Sequence, residues 1–257
     1  MKIHGGVGHF VSVEGAAMLI GSMVTVVPEH SHYAIQITIG SDPGVRFLSA
    51  PDAEWQDYDC AIIPTRQPHS MDSTALRANA VLFVEPETRE GRALTERYLK
   101  DGIAAVSGEA VARARKNLFD AWDRRHEADV KSAMMGVVEA LAGGVRPAAI
   151  SDERILRAVK FINANLDRQL TLEDVAGEAC LSPSRFRHLF VEETGTALRP
   201  YILWRRFLLV WDLIAEGATF STAAHRAGFA DAAHLSRTSK SMFGFPPSAL
   251  VIEGPLT

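Results

Sequence analysis

Four residues of this 257-residue chain have the types and spacing of a metal or ligand site. His30 and His32 are two apart on a stretch that reads as extended, so both imidazoles leave the same side of the strand. Gln36 follows four residues after His32. His69, after Pro68, lies further along the chain, where a neighbouring strand could bring it to the same face. Three imidazoles and one oxygen donor suit a divalent transition metal such as Zn, Ni, Fe or Mn. The same set could instead consist of three histidines hydrogen-bonded at the mouth of a barrel. The amide of Gln36 is a weaker ligand than a carboxylate. The chain shows no carboxylate pair, nucleophile elbow or phosphate loop, so no catalytic residue is assigned.

A second set of chemistry-bearing residues lies on two helices near the C-terminus. In Pro183–Thr194, Phe186, Leu189 and Phe190 share one face, while Ser184, Arg187 and His188 share the opposite one with Arg185 beside them. An apolar stripe backs a stripe of donors that can reach base edges and phosphates. The arrangement recurs: Ala176, Cys180, Leu181, a Leu189-Phe190 pair and Gly195 are echoed by Ala224, Gly228, Phe229, a Met242-Phe243 pair and Gly244. In the second copy Leu235, Met242 and Phe243 point inward, while Asp231, His234, Arg237 and Lys240 point outward. Thr171 to Asp174 matches a capping box, and Ser182-Pro183 supplies a cap followed by proline at the first helical position. Helix, short turn, helix is the arrangement that lays a second helix in a major groove. Leu198–Glu216 between the copies reads as one helix of roughly 28 Å at about 1.5 Å per residue, near the spacing of successive major-groove faces.

The elements that must position these residues follow from periodicity. Up to residue 85, Val11–Val13, Ala17–Val27, Tyr33–Ile39, Val45–Ser49, Cys60–Ile63 and Ala80–Val84 are short apolar or alternating runs punctuated by Gly and Pro. That pattern predicts a small antiparallel barrel or sandwich. From Glu87 the period becomes helical, with helices over Thr88–Lys100, Ser107–His126 and Ala128–Ala142; Gly143 to Pro147 reads as a linker. The chain is therefore read as α+β, with a barrel at 1–86, a helical linker or dimerisation segment at 87–146 and an all-α domain at 147–257. Apolar faces on the middle helices exceed what a small barrel needs, and Ser107–His126 with Trp122 is the expected contact with a second subunit.

Apolar residues make up 47% and charged residues 23%, ordinary for a globular protein. No apolar run approaches the ~20 residues of a membrane span, and the first residues have no signal core. Cys60 and Cys180 lie far apart and are read as reduced thiols of a cytoplasmic, nucleoid-associated protein. Net charge is −4, with 15 Lys+Arg against 19 Asp+Glu up to residue 150 and 12 against 12 beyond. That balance lacks the basic surplus usual for DNA binding, so the face on which charges lie must carry the reading.

Residues 151–250 resemble the AraC-type domain of the AraC/XylS transcription regulators. The resemblance rests on Leu170 to Ala176, Ser182 to Phe190, Tyr201 to Arg206, Gly228 to Thr238 and Phe243 to Ser248. It implies base-reading positions at Ser184, Arg187 and His188 in the first unit and at Ala232, Ala233, His234 and Arg237 in the second. Arg185 and Lys240 are candidates for phosphate contact. Ser239 stands where the family has a core Phe, and Val251-Ile252 where it often has Tyr-Arg. His30, His32 and His69 are similar to the metal-binding set of the small cupin barrel that precedes such domains, with Gln36 in the position of its acid. The function implied is a sequence-specific transcription regulator, not an enzyme, controlled by a small-molecule or metal effector in a cupin-like sensor. Its partners would be duplex DNA, the effector and a second subunit, with RNA polymerase a further candidate and no membrane contact. The alternative is a metallo-cupin enzyme such as a dioxygenase with an appended helical domain.

Overall fold

The computed structural model describes residues 5–143, 150–254 and 256–257. The first part of the chain forms β1 (Gly6–Val13), β2 (Ala16–Met23), β3 (Val27–His30), β4 (Ile35–Gly40), β5 (Val45–Leu48), β6 (Gln56–Tyr58), β7 (Cys60–Ile63), β8 (His69–Asp72) and β9 (Asn79–Val84). Then follow α1 (Arg89–Tyr98), β10 (Ala104–Val106), α2 (Glu109–Arg124) and α3 (Glu127–Ala142). The helical part comprises α4 (Glu153–Ala164), α5 (Leu172–Glu178), α6 (Pro183–Thr194), α7 (Leu198–Ala215), α8 (Phe220–Arg226) and α9 (Ala232–Phe243), and the chain returns to the sheet as β11 (Leu250–Ile252).

Two sheets result, one ordered β10-β7-β4-β9-β2-β1-β11 and one ordered β3-β8-β5-β6. β4, β7 and β9 are buried along their whole length, which explains their near-continuous apolar sequence. Their residues alternate between two cores. Ile35, Ile37, Ile39, Ile62 and Leu82 face Leu118, Val130, Met134 and Val138 of α2 and α3. Ala61, Ile63, Val81 and Phe83 face Val45, Phe47 and Met71 of the small sheet, in a core that continues into the helical part. The helices after Glu87 thus cover one face of the large sheet, and β10 pairs with β7. Trp122, expected at a subunit contact, is buried instead, and its indole N–H donates to His9 Nδ1 at 3.2 Å.

The helix ends follow their local sequence. Thr171 and Asp174 cap one another reciprocally at the start of α5, Ser182 caps α6 ahead of Pro183, and Asp231 caps α9 through the His234 N–H at 2.6 Å. Asp231, read from sequence as an outward residue, is therefore committed to the helix end. The turn before α9 holds Gly228 at φ 74°, where a Cβ would drive into the Leu166 carbonyl oxygen. Its counterpart Cys180 sits at φ 54° on the surface, where a side chain has room.

Five strands, β3, β6, β8, β10 and β11, were not expected from periodicity; β3 begins at Val27 and runs through Pro28, which had read as a break. His69 to Asp72 contains no β-branched residue, and three-residue strands are too short to show alternation. Val251-Ile252, read as a departure from the family pattern, belongs to β11, which runs parallel to β1 with Gly6 opposite Leu250 and Gly8 opposite Ile252. The pairing covers the edge that β1 would otherwise expose. The C-terminal domain is helical as expected, and its last residues add β11 to the sheet of the first part. The tail beyond it is also fastened: the Glu253 N–H donates to Gly8 O at 2.7 Å, Glu253 pairs with Arg125 at 2.9 Å, and the Thr257 N–H donates to Arg125 O at 2.9 Å. The linker expected from Gly143 to Pro147, with its boundary at 146/147, falls almost wholly on 144–149, outside the described residues.

Candidate functional site

The outward faces of α6 and α9 are as the helical period requires. Ser184, Arg185, Arg187 and His188 are exposed, over a buried face of Phe186 and Phe190. Ala232, Ala233, Arg237 and Lys240 are exposed over Leu235, Met242 and Phe243. Among the described residues, no ion pair engages Arg185, Arg187, Arg237 or Lys240, so their donors face solvent. His234 differs: it is half-buried, stacked edge-on against Phe229 at 5.4 Å, and its Nδ1 accepts from the Ala230 N–H at 3.4 Å. Ser239, in place of a core aromatic, is fully buried, and its hydroxyl donates to Phe245 O at 2.7 Å. The second unit is therefore closed by a hydrogen bond where its sequence suggested a gap.

Both α6 and α9 end against the β part of the molecule. At α6, the Tyr33 hydroxyl reaches Thr194 O at 3.1 Å, Arg92 donates to Glu193 O at 2.9 Å, and Arg66 contacts the Thr196 hydroxyl. The Tyr33 hydroxyl also lies 2.5 Å from Glu87 Oε2. A phenol has one proton, so it can donate to Thr194 only while a protonated Glu87 donates to it. Burial, with Glu85 nearby, pushes the Glu87 carboxyl up to about 7, while the hydrogen bond donated by Tyr33 opposes that rise. Glu85 in turn accepts from Trp204 Nε1 at 3.3 Å and pairs with Arg205 on α7. At α9, Gly244 packs so closely on β3 that an added Cβ would lie 2.7 Å from Pro28 O. Phe243 stacks on His32 at 6.3 Å and 26° and meets Phe83 edge-on at 5.6 Å.

The structure brings the sequence-predicted set His30, His32, Gln36 and His69 together between β3, β8 and β4. The three imidazoles are buried, with ring centroids 4.2 Å (His30 to His69), 5.4 Å (His32 to His69) and 5.8 Å (His30 to His32) apart. Each Nδ1 meets a backbone carbonyl: Pro28 O at 2.9 Å, Ala34 O at 2.9 Å and Gln67 O at 2.8 Å for His30, His32 and His69 respectively. His32 Nε2 lies 2.8 Å from Gln36 Oε1, whose amide nitrogen donates to the Thr38 hydroxyl at 2.9 Å. His69 Nε2 is buried with no partner. Burial holds the imidazoles neutral, pushing His30 down to about 2, His32 to about 3 and His69 below its usual value.

Beside the cluster lies a cavity of about 60 Å³, walled by Leu19, Met23, Val81 and Phe83 of the sheets and by Phe243, Phe245, Leu250 and Ile252 of the C-terminal part. His30 and Gln36 reach it, with Asn79 and Ser22, whereas His32 and His69 sit behind. No Asp, Glu, Lys or Arg is among its lining residues. The C-terminal half of this wall was not identified from sequence, because it forms only when β11 and the segment after α9 fold back onto β1 and β3. Cys60 is buried with its thiol pushed up to about 12, which leaves it unreactive.

Residues 175–251 match a family described as a helix-turn-helix domain. The transcriptional activator NphR of Rhodococcus sp is 32% identical over 127 residues, covering 45% of this chain and 36% of that protein. The arabinose operon regulatory protein of Escherichia coli (strain K12) is 30% identical over 102 residues, 38% of this chain and 34% of its own length. The chain thus matches about a third of the length of these relatives. Over the whole molecule, the crystal structure of ToxT from Vibrio cholerae O395 superposes with a TM-score of 0.59 at 13% identity, covering 92% of this chain and 96% of ToxT. Wild-type ToxT from Vibrio cholerae strain SCE256, in its unsaturated fatty acid-bound crystal form, gives 0.55 at 12% identity, with 96% and 95% covered. Residues 175–251 of this chain therefore match a helix-turn-helix domain, and the chain has the fold of ToxT.

Proposed function

We propose that the protein is a sequence-specific DNA-binding transcription regulator whose α6 and α9 lie in successive major grooves and whose β domain responds to a small effector. The observation that carries this reading is the pair of solvent-facing donor rows, each on a helix whose far end is seated on the β domain. Arg187 and Arg237 are the base-reading candidates, suited to bidentate contact with guanine, and Arg185 and Lys240 the phosphate contacts. Ala232 and Ala233 can offer a thymine methyl only apolar contact, and His234 is partly withdrawn, so the first unit reads more bases than the second. The effector site is the apolar cavity, since its occupant would touch both the sheets and the segment after α9. The fatty acid bound to ToxT supports an apolar ligand by analogy of fold. A homodimer through the outer faces of α2 and α3, pairing four helix-turn-helix units, completes the assembly. Membership of a regulator-type domain speaks against the dioxygenase alternative.

Binding to duplex DNA from upstream of the protein's own gene should fall steeply with salt, with a log–log slope of roughly −0.9 per phosphate contacted. Arg187→Ala should cost about 1–3 kcal/mol and relax preference at one base pair. A uniform loss across all sequences in the same titration would place Arg187 on phosphate instead.

A further inference from the structure

We propose that one proton on Glu87 decides whether the β domain holds the C-terminal end of α6, seating the helix while the proton is present and freeing it when the proton leaves for solvent. The inference goes beyond the DNA-binding reading, on which only its last consequence rests.

The geometry of a single shared proton comes first. Tyr33 stands in the connection from β3 to β4, with its hydroxyl 2.5 Å from Glu87 Oε2 and 3.1 Å from Thr194 O. Thr194 is the last residue of α6 and is fully buried. An ionised Glu87 and the Thr194 carbonyl both only accept, and the phenol has one proton to give. The carboxylate is the stronger acceptor, so it takes that proton and draws it away from Thr194 O. A protonated Glu87 donates to Tyr33 instead, and the phenol proton turns to Thr194 O. Carboxyl, phenol and carbonyl then form one directed chain from the β domain to the end of α6.

The groups around Glu87 leave it as the member that changes. Glu85, just after β9, meets Arg205 of α7 and accepts from Trp204 Nε1 at 3.3 Å, so one guanidinium answers one of two neighbouring carboxyls. Glu87 is 5% exposed and its Oε1 has no hydrogen-bond partner, a poor place for a negative charge. Tyr33 and Tyr201 of α7, whose rings meet edge-on at 5.8 Å, are pushed by burial well above the ordinary phenol value and keep their protons. At the end of α6, Arg92 reaches Glu193 O at 2.9 Å and its carboxylate at 4.0 Å, and Arg66 contacts the Thr196 hydroxyl. These guanidiniums do not titrate. Burial, with Glu85 nearby, places the Glu87 carboxyl at about 7, so its proton is exchanged across the neutral range. The end of α9 offers the contrast. Gly244 against Pro28 and Phe243 against Phe83 hold it through contacts with no exchangeable proton. Loss of the Glu87 proton therefore loosens α6 while α9 stays seated, and the relation between the two helices is no longer fixed.

Hydrogen exchange of the full chain at pH 6 and pH 8, scaled for the intrinsic amide rate, tests this. The Gly195 N–H donates to Val191 O at 2.8 Å and the Gly244 N–H to Lys240 O at 3.0 Å, so each reports on its own helix end. Across those two pH units the ionised fraction of Glu87 rises from roughly a tenth to nine-tenths. Gly195 and Thr196 should therefore exchange about fivefold faster or more at pH 8, while Gly244 should not change. Glu87→Gln, whose amide donates to Tyr33 at every pH, should keep the slow rate at pH 8. Tyr33→Phe, which removes the bridge, should show the fast rate at both. Exchange at Gly195 and Thr196 that ignores pH in the unsubstituted chain would overturn the proposal, as would a pH dependence that survives in either variant. Affinity for a duplex selected by the protein should fall about threefold further in the unsubstituted chain than in Glu87→Gln between the same pH values. The exposed His188 is common to both chains and cancels in that comparison. Equal falls would overturn the link from Glu87 to DNA. If no duplex is selected, the DNA-binding reading fails, and the exchange rates still decide the proposal.

Discussion

Phe243→Ala is expected to destabilise the protein by about 3–5 kcal/mol and to loosen the joint between its two parts. Phe243 is 3% exposed and closes α9. Its ring meets Phe207 at 5.3 Å and Trp204 at 6.2 Å within the helical part, and Phe83 and His32 in the β part. One buried core runs without a break from Val45 and Phe47 through these rings to Phe229 and Leu235. Removing the ring therefore opens a cavity where the recognition helix is anchored and also removes its seat on β3. Urea denaturation should show the loss in midpoint, and thermal melting should separate into two transitions. A loss below about 1 kcal/mol with a single transition would mean that the two parts are not joined through this residue.

Acid should unfold the metal-free protein unusually early. His30 and His32 are held to about 2 and 3 by burial, and His69 is also lowered from the ordinary 6.5. A group whose protonated form the fold disfavours contributes stability that is complete above its unfolded value and is lost as pH falls below it. Each histidine that stays neutral in the fold removes about 1.4 kcal/mol per pH unit below roughly 6.5, so His30 and His32 together remove about 3, and His69 adds to the loss in the same direction. Glu87 acts in the opposite sense. Its carboxyl is raised in the folded state, so the fold gains its proton first and recovers about 1.4 kcal/mol per unit between about 7 and the ordinary carboxylate range. The net slope from His30, His32 and Glu87, roughly 1–2 kcal/mol per unit between pH 6 and 5, is large beside a total stability of about 5–15 kcal/mol, and His69 steepens it. Urea-derived stability measured at a series of pH values gives the slope directly. His69→Asn should reduce it, and Glu87→Gln should steepen it. Stability that stays flat from pH 6.5 to 5 would show that the cluster is solvated.

The helical part was legible because its signals are local. The Thr171–Asp174 box, the Ser182-Pro183 start and the glycine at 195 each specify a helix end within a few residues. The His cluster was legible from the close spacing of His30 and His32, although β3 ends at His30 and His32 lies in the connection to β4. What the sequence could not show is tertiary. Tyr33 and Thr194, or Gly8 and Ile252, become neighbours only through the whole fold, and no local pattern announces β11. Ser239 is the instructive case: a polar residue in a core position read as a looser unit, but the Phe245 carbonyl completes it. Lacking a basic surplus, the DNA-binding part depends on where its few arginines point. α6 and α9 answer that by exposing theirs.

Under the proposed function, the seating of α6 and α9 on the β domain would give an effector a physical route to DNA. An occupant of the cavity would push on Phe243, Phe245 and β11, which fix α9, while Tyr33 and Glu87 fix α6 from the same domain. The central claim remains sequence-specific binding by α6 and α9. It is tested most directly by selecting duplexes from a random pool with the full chain and with Arg187→Ala at the same salt. Enrichment of one motif with two elements about one helical turn apart, losing information at a single position in Arg187→Ala, is the expected result. A pool that stays unenriched at low salt, where nonspecific binding would still be seen, would contradict it.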